Sequence, residues 1–407
     1  MPKYKLKNRW LIVASAIGIH ISIGSVYAYS VMTIPVKDIL ELDSSVIKWA
    51  FKFAILSLGL SAALLGKWVE KVGPKKSGLT AALFYSIGIA GSGLAIYLNS
   101  IIFFFFFYGL IGGIGLGIGY IAPVSTLVKW FPDKRGLATG LAVMGFGFSA
   151  LIFGPLMQYL FETVGVSNTF FALGIIYFLL MTISSLYLSP PPENYTPYGF
   201  KQENIVEDKL EFNKTSAFKS KRFYYILFMM FVNISAGIAI ISSASPMMQE
   251  TLDYSPIQAA AMVGFIGVFN GLGRIFWSSL SDIFGRINIY ILFFIFQIIA
   301  FYFIAGISTA FYFLVLLFTI ITMYGGAFAI LPAFLSDMFG TKQLGTILGA
   351  TLISWGIAGI VGPTIYDLVK AKTNSLETTL SVFSVMFVFA LIASLLMKIN
   401  ISRSSLN

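Results

Sequence analysis

The chain has 407 residues, of which 57% are apolar and 11% charged, with a formal net charge of +10. A soluble domain is typically about 45–50% apolar and about 25% charged, so disorder and an ordinary soluble core are both excluded. The absence of cysteine excludes a disulfide scaffold and a thiolate metal site, and the single histidine, His20, sits alone in an apolar run that offers no triad or His-rich centre.

A helix needs about 20 mostly apolar residues to cross a bilayer. Twelve such runs occur in order: 10–34, 46–69, 77–98, 101–128, 136–160, 168–189, 221–248, 256–281, 287–306, 309–336, 343–368 and 376–398. They are numbered here as spans 1 to 12. Ahead of span 1 stand Lys3, Lys5, Lys7 and Arg9. The apolar run is long and ends without a small-residue cleavage site, so it is expected to be an uncleaved first span. The connections are short except at 190–220, which opens with Pro190-Pro191-Pro192 and continues through Lys201, Glu203, Glu207, Asp208, Lys209 and Glu211. This segment is expected to be a linker between two six-helix units, 1–189 and 221–407.

Lys and Arg counting sets the orientation. With the N-terminus inside, the inner segments hold 21 of the 27 Lys and Arg and the outer ends hold five. Both termini are therefore expected in the cytoplasm, with the chain a multi-pass protein of the cell membrane. The positive charge reads as membrane topology and not as a nucleic-acid surface, since acids interleave with bases in the 190–220 segment. The sequon Asn213-Lys214-Thr215 falls in that segment and is expected to stay unglycosylated.

The halves repeat one another. Phe131, Lys134, Gly154 and Pro155 recur as Phe339, Lys342, Gly362 and Pro363, all at an offset of 208. Pro123 and Pro332 lie upstream, one residue out of that register. Gly66-Lys-Trp-Val-Glu70-Lys71-Val-Gly73-Pro-Lys75-Lys76 after span 2 matches Ser281-Asp282-Ile-Phe-Gly285-Arg286 after span 8 in place. A duplicated six-plus-six arrangement is the build of transporters whose substrate site lies at the midplane between repeats. The expected fold class is all-α integral membrane, twelve transmembrane helices in two pseudo-symmetric bundles.

The loop after span 2 resembles the G-x-x-x-D-R-x-G-R-K signature of the major facilitator superfamily, with Glu70 and Lys71 where Asp-Arg is usual. The charge types are kept, and an acid at a helix end can pair with cations across the halves and hold the inner side shut. Glu70, Lys71, Asp282 and Arg286 are thus candidate gating residues. More narrowly, the chain resembles the oxalate/formate antiporter family and the related monocarboxylate transporters. The resemblance rests on Gly24-Ser-Val-Tyr27-Ala-Tyr29, on Gly119-Tyr120 through Pro123, on Lys129-Trp-Phe-Pro-Asp-Lys-Arg135-Gly136, and on Asn270-Gly-Leu-Gly-Arg274.

Arg274 lies eight residues before Asp282, about 12 Å up the helix at 1.5 Å per residue and near the centre of a ~30 Å core. Burying it costs at least ~2.5–3.5 kcal/mol, which makes it a functional hypothesis by default. Its guanidinium stays charged and offers a planar fork that matches a carboxylate. All 17 acidic residues lie in loops or near helix ends, so no mid-depth acid balances it. Asn270 sits one turn away on the same face, where it can orient Arg274 or meet the substrate. Some monocarboxylate transporters carry an aspartate at that place. Without a titratable carboxylate there, exchange is the simplest mechanism, and proton symport stays open.

By the resemblance, a lysine that the oxalate-type members carry in span 11 falls at Trp355, which offers an apolar wall and one N–H donor. One fixed cation suits one carboxylate. Tyr27, Tyr29, Tyr120, Tyr324 and Phe328 are further candidates for the cavity wall, with at most one of Tyr27 and Tyr29 facing it. Glycines 109 to 119 read as close helix packing, not as a phosphate loop. Gly154-Pro155 and Gly362-Pro363 are expected to bend their helices.

The expected function is secondary transport of small monocarboxylates such as lactate, pyruvate, formate or acetate by alternating access. The alternatives are proton-coupled symport, oxalate or dicarboxylate antiport and, in another class, an integral-membrane enzyme, for which no catalytic constellation is visible. No ATP motif and no metal site appear, so no cofactor is expected. The expected partners are a small organic anion and the lipid bilayer, with no nucleic acid, and the chain is expected to act as a monomer.

Overall fold

A computed structural model of the chain describes residues 7–193, 195–197, 214–307 and 309–404. Lys3, Lys5 and the 190–220 charges Lys201, Glu203, Glu207, Asp208, Lys209 and Glu211 lie outside these residues, as does the sequon's Asn213. Among the described residues there is no strand, and ten stretches are long and apolar enough to cross a membrane. One of them, Val46–Tyr97, is two crossings joined: Gly73 has φ 81° and ψ 167° and turns the chain before Pro74 starts the next helix. Only glycine adopts that conformation without strain, and proline is well placed in a first helical turn. The helix Pro256–Phe284, 29 residues long, completes twelve crossings.

Spans 2 and 3 are therefore Ser44–Tyr97 with a break at Gly73, where a loop had been expected. Three further interruptions are not legible as periodicity. Span 1 runs Arg9–Ile23, tightens to a 3-10 turn over Gly24–Ala28, and resumes as Tyr29–Leu40. Span 4 has a π-helical stretch, Phe105–Gly112, before Gly113–Trp130. Span 11 breaks at Leu352 between Leu344–Thr351 and Ile353–Thr373, ten residues ahead of the Gly362-Pro363 pair expected to bend it. Such irregular turns inside membrane helices commonly mark functional places. The remaining spans are Arg135–Val164, Val166–Tyr187, Lys221–Leu252, Arg286–Phe303, Ala310–Phe339 and Leu376–Ser404. The expected linker contains one short described helix, Lys214–Lys219.

Lipid-facing surfaces are apolar, with Leu64, Ile102, Tyr97 and Ile183 all exposed. The inner seams are lined by small residues. A Cβ added at Gly113 would lie 2.5 Å from Ser57, and one at Gly117 2.2 Å from the Ser61 hydroxyl, so the span 4 glycines serve helix packing. Between the two halves, span 2 packs on span 11 and span 5 on span 8. These seams are tightest toward the face that carries Arg9, Gly73, Arg135, Arg286 and Lys342, called here the basic face. A Cβ at Gly349 would lie 2.0 Å from the Ala62 carbonyl oxygen, and one at Gly140 2.0 Å from the Ser278 hydroxyl. Toward the far face spans 5 and 8 diverge, while spans 2 and 11 stay close, a Cβ at Gly359 lying 2.9 Å from Ile55. Gly154 meets nothing closer than Val31 at 3.8 Å, and Gly264 nothing within 4 Å.

Candidate functional site

Arg274 sits midway along Pro256–Phe284 and is 1% exposed. Its Nε donates to the Asn270 Oδ1 at 2.8 Å, one turn back, so Asn270 orients the guanidinium. Its Nη1 crosses to the other half and donates to the Val143 carbonyl of span 5 at 2.8 Å. Its Nη2 is buried without a hydrogen-bond partner in the protein. Among the described residues no Asp or Glu is buried and Arg274 has no ion-pair partner. The mid-depth charge is thus held by neutral groups on two sides and left open on the third.

Aromatic rings pack around the guanidinium. The guanidinium carbon lies 5.7 Å from the ring centre of Phe146 and 5.9 Å from that of Phe328. Trp355 stands edge-on to Phe328 at 4.6 Å and to Tyr120 at 5.8 Å. Tyr324 contacts Phe328 at 5.8 Å, and Tyr27 contacts Phe146 at 5.8 Å. Spans 1, 4, 5, 8, 10 and 11 each contribute one or more of these side chains. The Tyr27, Tyr120 and Tyr324 hydroxyls and the Trp355 Nε1 are buried with no hydrogen-bond partner in the protein, like the Arg274 Nη2. Leaving one such donor unmet costs about 1–3 kcal/mol. Several converging on one cation form a place that favours a ligand rich in acceptors.

The sequence-picked residues Arg274, Asn270, Tyr27, Tyr120, Tyr324, Phe328 and Trp355 are therefore brought together. Tyr29 is not among them. It turns into the N-terminal bundle, donates to the Ile47 carbonyl and packs on Tyr108. Two participants were missed. The Val143 carbonyl has no side-chain signature. Phe146 is one of 40 phenylalanines, yet it stands between two glycines and one residue from the position that matches Trp355 at the repeat offset of 208. His20, alone in its apolar run, stacks on Tyr120 at 5.5 Å, with its Nδ1 2.9 Å from the Ala142 carbonyl.

At the basic face, the gating candidates divide. Glu70, at the end of span 2, accepts from the Thr346 amide at 3.2 Å and the Thr346 hydroxyl at 2.7 Å. It meets the first turn of span 11, which presents free amides and the positive end of the helix dipole, and Lys129 of span 4 is a charged neighbour. Asp282 repeats the arrangement in the other half. It accepts from the Gly136 and Leu137 amides, both at 3.0 Å, at the start of span 5. Arg286 pairs with Asp282 at 2.5 Å and with Asp337 at 3.0 Å, and Arg135 reaches Asp337 from the opposite half at 3.0 Å. Lys71 is exposed and makes no ion pair among the described residues.

Residues 15–363 match the family model of the Major Facilitator Superfamily. The chain belongs to this superfamily. Its members here include an uncharacterized MFS-type transporter of Escherichia coli K12, YhjX, 27% identical over 365 residues that cover 88% of each chain. The oxalate:formate antiporter of Oxalobacter formigenes is 28% identical over 361 residues, 88% of this chain and 84% of its own. Among solved structures, a double-tryptophan mutant of XylE superposes with a TM-score of 0.79 over 94% of both chains at 16% identity, which speaks for the fold alone. The superfamily chain is an all-helical membrane transporter.

Proposed function

We propose that this transporter carries small monocarboxylate anions by alternating access, with Arg274 as the anion ligand. The observation that carries this reading is the Arg274 Nη2, which is buried, charged and unpaired in a cluster that also holds unmet tyrosine hydroxyls and an unmet indole N–H. A carboxylate offers about four lone-pair sites and one negative charge, which suits one guanidinium and several neutral donors. Trp355 supplies an aromatic wall and no second cation, so one carboxylate is preferred to two. The 28% identity to an oxalate:formate antiporter and the 30% identity of a 172-residue segment to mouse monocarboxylate transporter 2 support the class of cargo.

On this reading the basic face is cytoplasmic, the protein lies in the cell membrane, and Glu70, Asp282 and Arg286 latch its inner side, with Lys71 as a solvated neighbour. Exchange is the favoured mode. An empty carrier crosses with an uncompensated guanidinium, whereas a loaded one is neutral at the site. The test is uptake of labelled lactate, formate or oxalate by proteoliposomes preloaded with unlabelled anion, for wild type and Arg274→Gln. Monocarboxylate uptake that requires internal anion and disappears in the variant is expected. Flux indifferent to Arg274 would overturn the assignment.

A further inference from the structure

Span 1 changes pitch where it meets the anion cluster. Gly24–Ala28 is a 3-10 turn, and Tyr27 lies within it. In a 3-10 helix residues three apart eclipse, whereas in an α-helix the third residue falls about 60° short of a full turn. Tyr27 therefore stands over Gly24. Gly24 is seated on span 5, where a Cβ added to it would lie 2.6 Å from the Phe146 Cα and 2.9 Å from the Ser149 Cβ. The Tyr27 ring accordingly meets the Phe146 ring at 5.8 Å, and the Arg274 guanidinium packs on that same ring at 5.7 Å. A continuous α-helix would swing Tyr27 about 60° off that line.

A helix that changes pitch inside a bilayer leaves main-chain groups to be satisfied by the protein itself. Hydroxyls gather on three successive carbonyls ahead of the turn. The Ile21 carbonyl accepts from Ser149 of span 5 at 2.5 Å. The Ser22 carbonyl accepts from the Ser25 hydroxyl at 2.8 Å. The Tyr85 hydroxyl of span 3 lies 2.8 Å from the Ser25 Oγ and 3.5 Å from the Ile23 carbonyl. Ser25 gives its one proton to Ser22, so the phenol is the donor to Ser25, with the Ile23 carbonyl as a longer second acceptor. Tyr85 is itself held in place. It is 2% exposed, its ring packs on Tyr177 of span 6 at 5.5 Å, and a Cβ at Gly115 of span 4 would lie 2.4 Å from its main-chain nitrogen. The turn is thus gripped from spans 3 and 5 together.

We propose that Tyr85 is a positioning residue of the anion site: its hydroxyl, through Ser25, holds the 3-10 turn that aims Tyr27 at the ligand of Arg274. The inference deepens the carboxylate reading above and rests on it. Tyr27 supplies the carboxylate with a hydroxyl that is buried and unmet in the protein. A hydrogen bond to a charged group changes affinity by about 10- to 150-fold. In an α-helix the Ile23 carbonyl takes the amide four residues on, which is that of Tyr27 itself. The phenol stands at that carbonyl and at Ser25 instead. Without the phenol the turn relaxes toward α pitch, Tyr27 swings away from Phe146, and part of its contribution to anion binding is lost.

The test is a double-mutant cycle on anion binding. Purified protein in detergent is titrated with labelled lactate and labelled formate, for wild type, Tyr85→Phe, Tyr27→Phe and the double variant, with the thermal midpoint read alongside. Phenylalanine keeps both rings and removes only the hydroxyls. Tyr27→Phe is expected to weaken binding by about tenfold or more, and Tyr85→Phe by about threefold or more. The double variant is expected to bind within about twofold of Tyr27→Phe, because the Tyr85 hydroxyl acts through that of Tyr27. Ser25→Ala removes the link between them and is expected to match Tyr85→Phe; it decides the matter if Tyr85→Phe does not fold. A residue that only stabilises the bundle lowers the thermal midpoint and leaves the affinity of the folded protein unchanged. Affinity within about twofold of wild type in Tyr85→Phe or in Ser25→Ala, or losses that multiply in the double variant, overturns the proposal while leaving Arg274 as the anion ligand. Unchanged binding by Tyr27→Phe does the same. Binding of neither anion by wild type, or binding undiminished in Arg274→Gln, overturns the carboxylate reading and the proposal with it.

Discussion

Replacing Glu70 by Gln tests the latch at the basic face. Glu70 accepts two hydrogen bonds from Thr346, at 3.2 and 2.7 Å, on the opposite half. Hydrogen bonds to a charged group contribute about 1.5–3 kcal/mol, and neutral ones about 0.5–1.5. The carboxylate also gains about 0.3–1 kcal/mol from the helix start it faces. Glutamine keeps one acceptor and removes the charge. The loss, reduced because Glu70 is partly exposed, is about 1–2 kcal/mol, or about 5- to 30-fold toward a form open at this face. The chain contains no cysteine, so a single Ser278→Cys reports without background. Ser278 is 0% exposed and packs on Gly140 in the span 5–span 8 seam beneath the latch. Its reaction with a membrane-permeant maleimide is expected to accelerate by about that factor in Glu70→Gln. Asp282→Asn, which disturbs the repeated arrangement on Gly136 and Leu137, is expected to add to it. Labelling within twofold of the parent in both variants would refute the latch.

Trp355→Lys places a second cation no more than about 11 Å from Arg274, judged by their shared neighbour Phe328. It is expected to weaken lactate exchange and to gain oxalate exchange, read by uptake of both labelled anions; unchanged preference would place Trp355 outside the site. Phe146→Ala removes a ring shared by Arg274, His20 and Tyr27. An expected cost of about 3–5 kcal/mol in stability is read from the thermal midpoint in detergent, with exchange falling at least tenfold in the protein that survives. Gly349→Ala sets a methyl 2.0 Å from the Ala62 carbonyl, so it is expected to part spans 2 and 11 and raise Ser278→Cys labelling, as the latch variants do.

The fold was legible because lipid imposes a coarse rule. Twelve apolar runs, a charge bias and a repeat offset of 208 describe the architecture without any side-chain contact. Arg274 was legible for the same reason, since one charge in an apolar run has no ordinary explanation. Trp355 and Tyr120 became visible through a resemblance, and the structure places both against Phe328. What was not legible lies in the backbone. Glu70 grips the amide and the hydroxyl of Thr346, and Val143 contributes a carbonyl; neither main-chain group leaves a mark in residue type. The breaks at Gly24–Ala28 and Leu352 show no change of apolar pattern, because a 3-10 turn and an α-turn bury the same residues. Tyr27 and Tyr29 could be told apart only by the turn between them, which sends one ring to Phe146 and the other to Tyr108.

The hydrogen bonds of Arg274 give the exchange reading a physical basis. Nε is tied to Asn270 on the same helix and travels with it. Nη1 is tied to Val143 on the other half. The seam between spans 5 and 8 closes the basic face, so opening that face parts Arg274 from Val143. An empty carrier then carries two buried guanidinium nitrogens without acceptors, Nη1 and the already unpaired Nη2. Losing a bond from a charged donor costs about 1.5–3 kcal/mol, which slows the empty crossing by about 10- to 150-fold. A carboxylate supplies two oxygens to the same fork and moves with the C-terminal half. The loaded crossing therefore replaces the lost bond before it breaks, and the empty one does not. On the proposed reading, the same fork that selects a carboxylate makes its presence the condition for turnover.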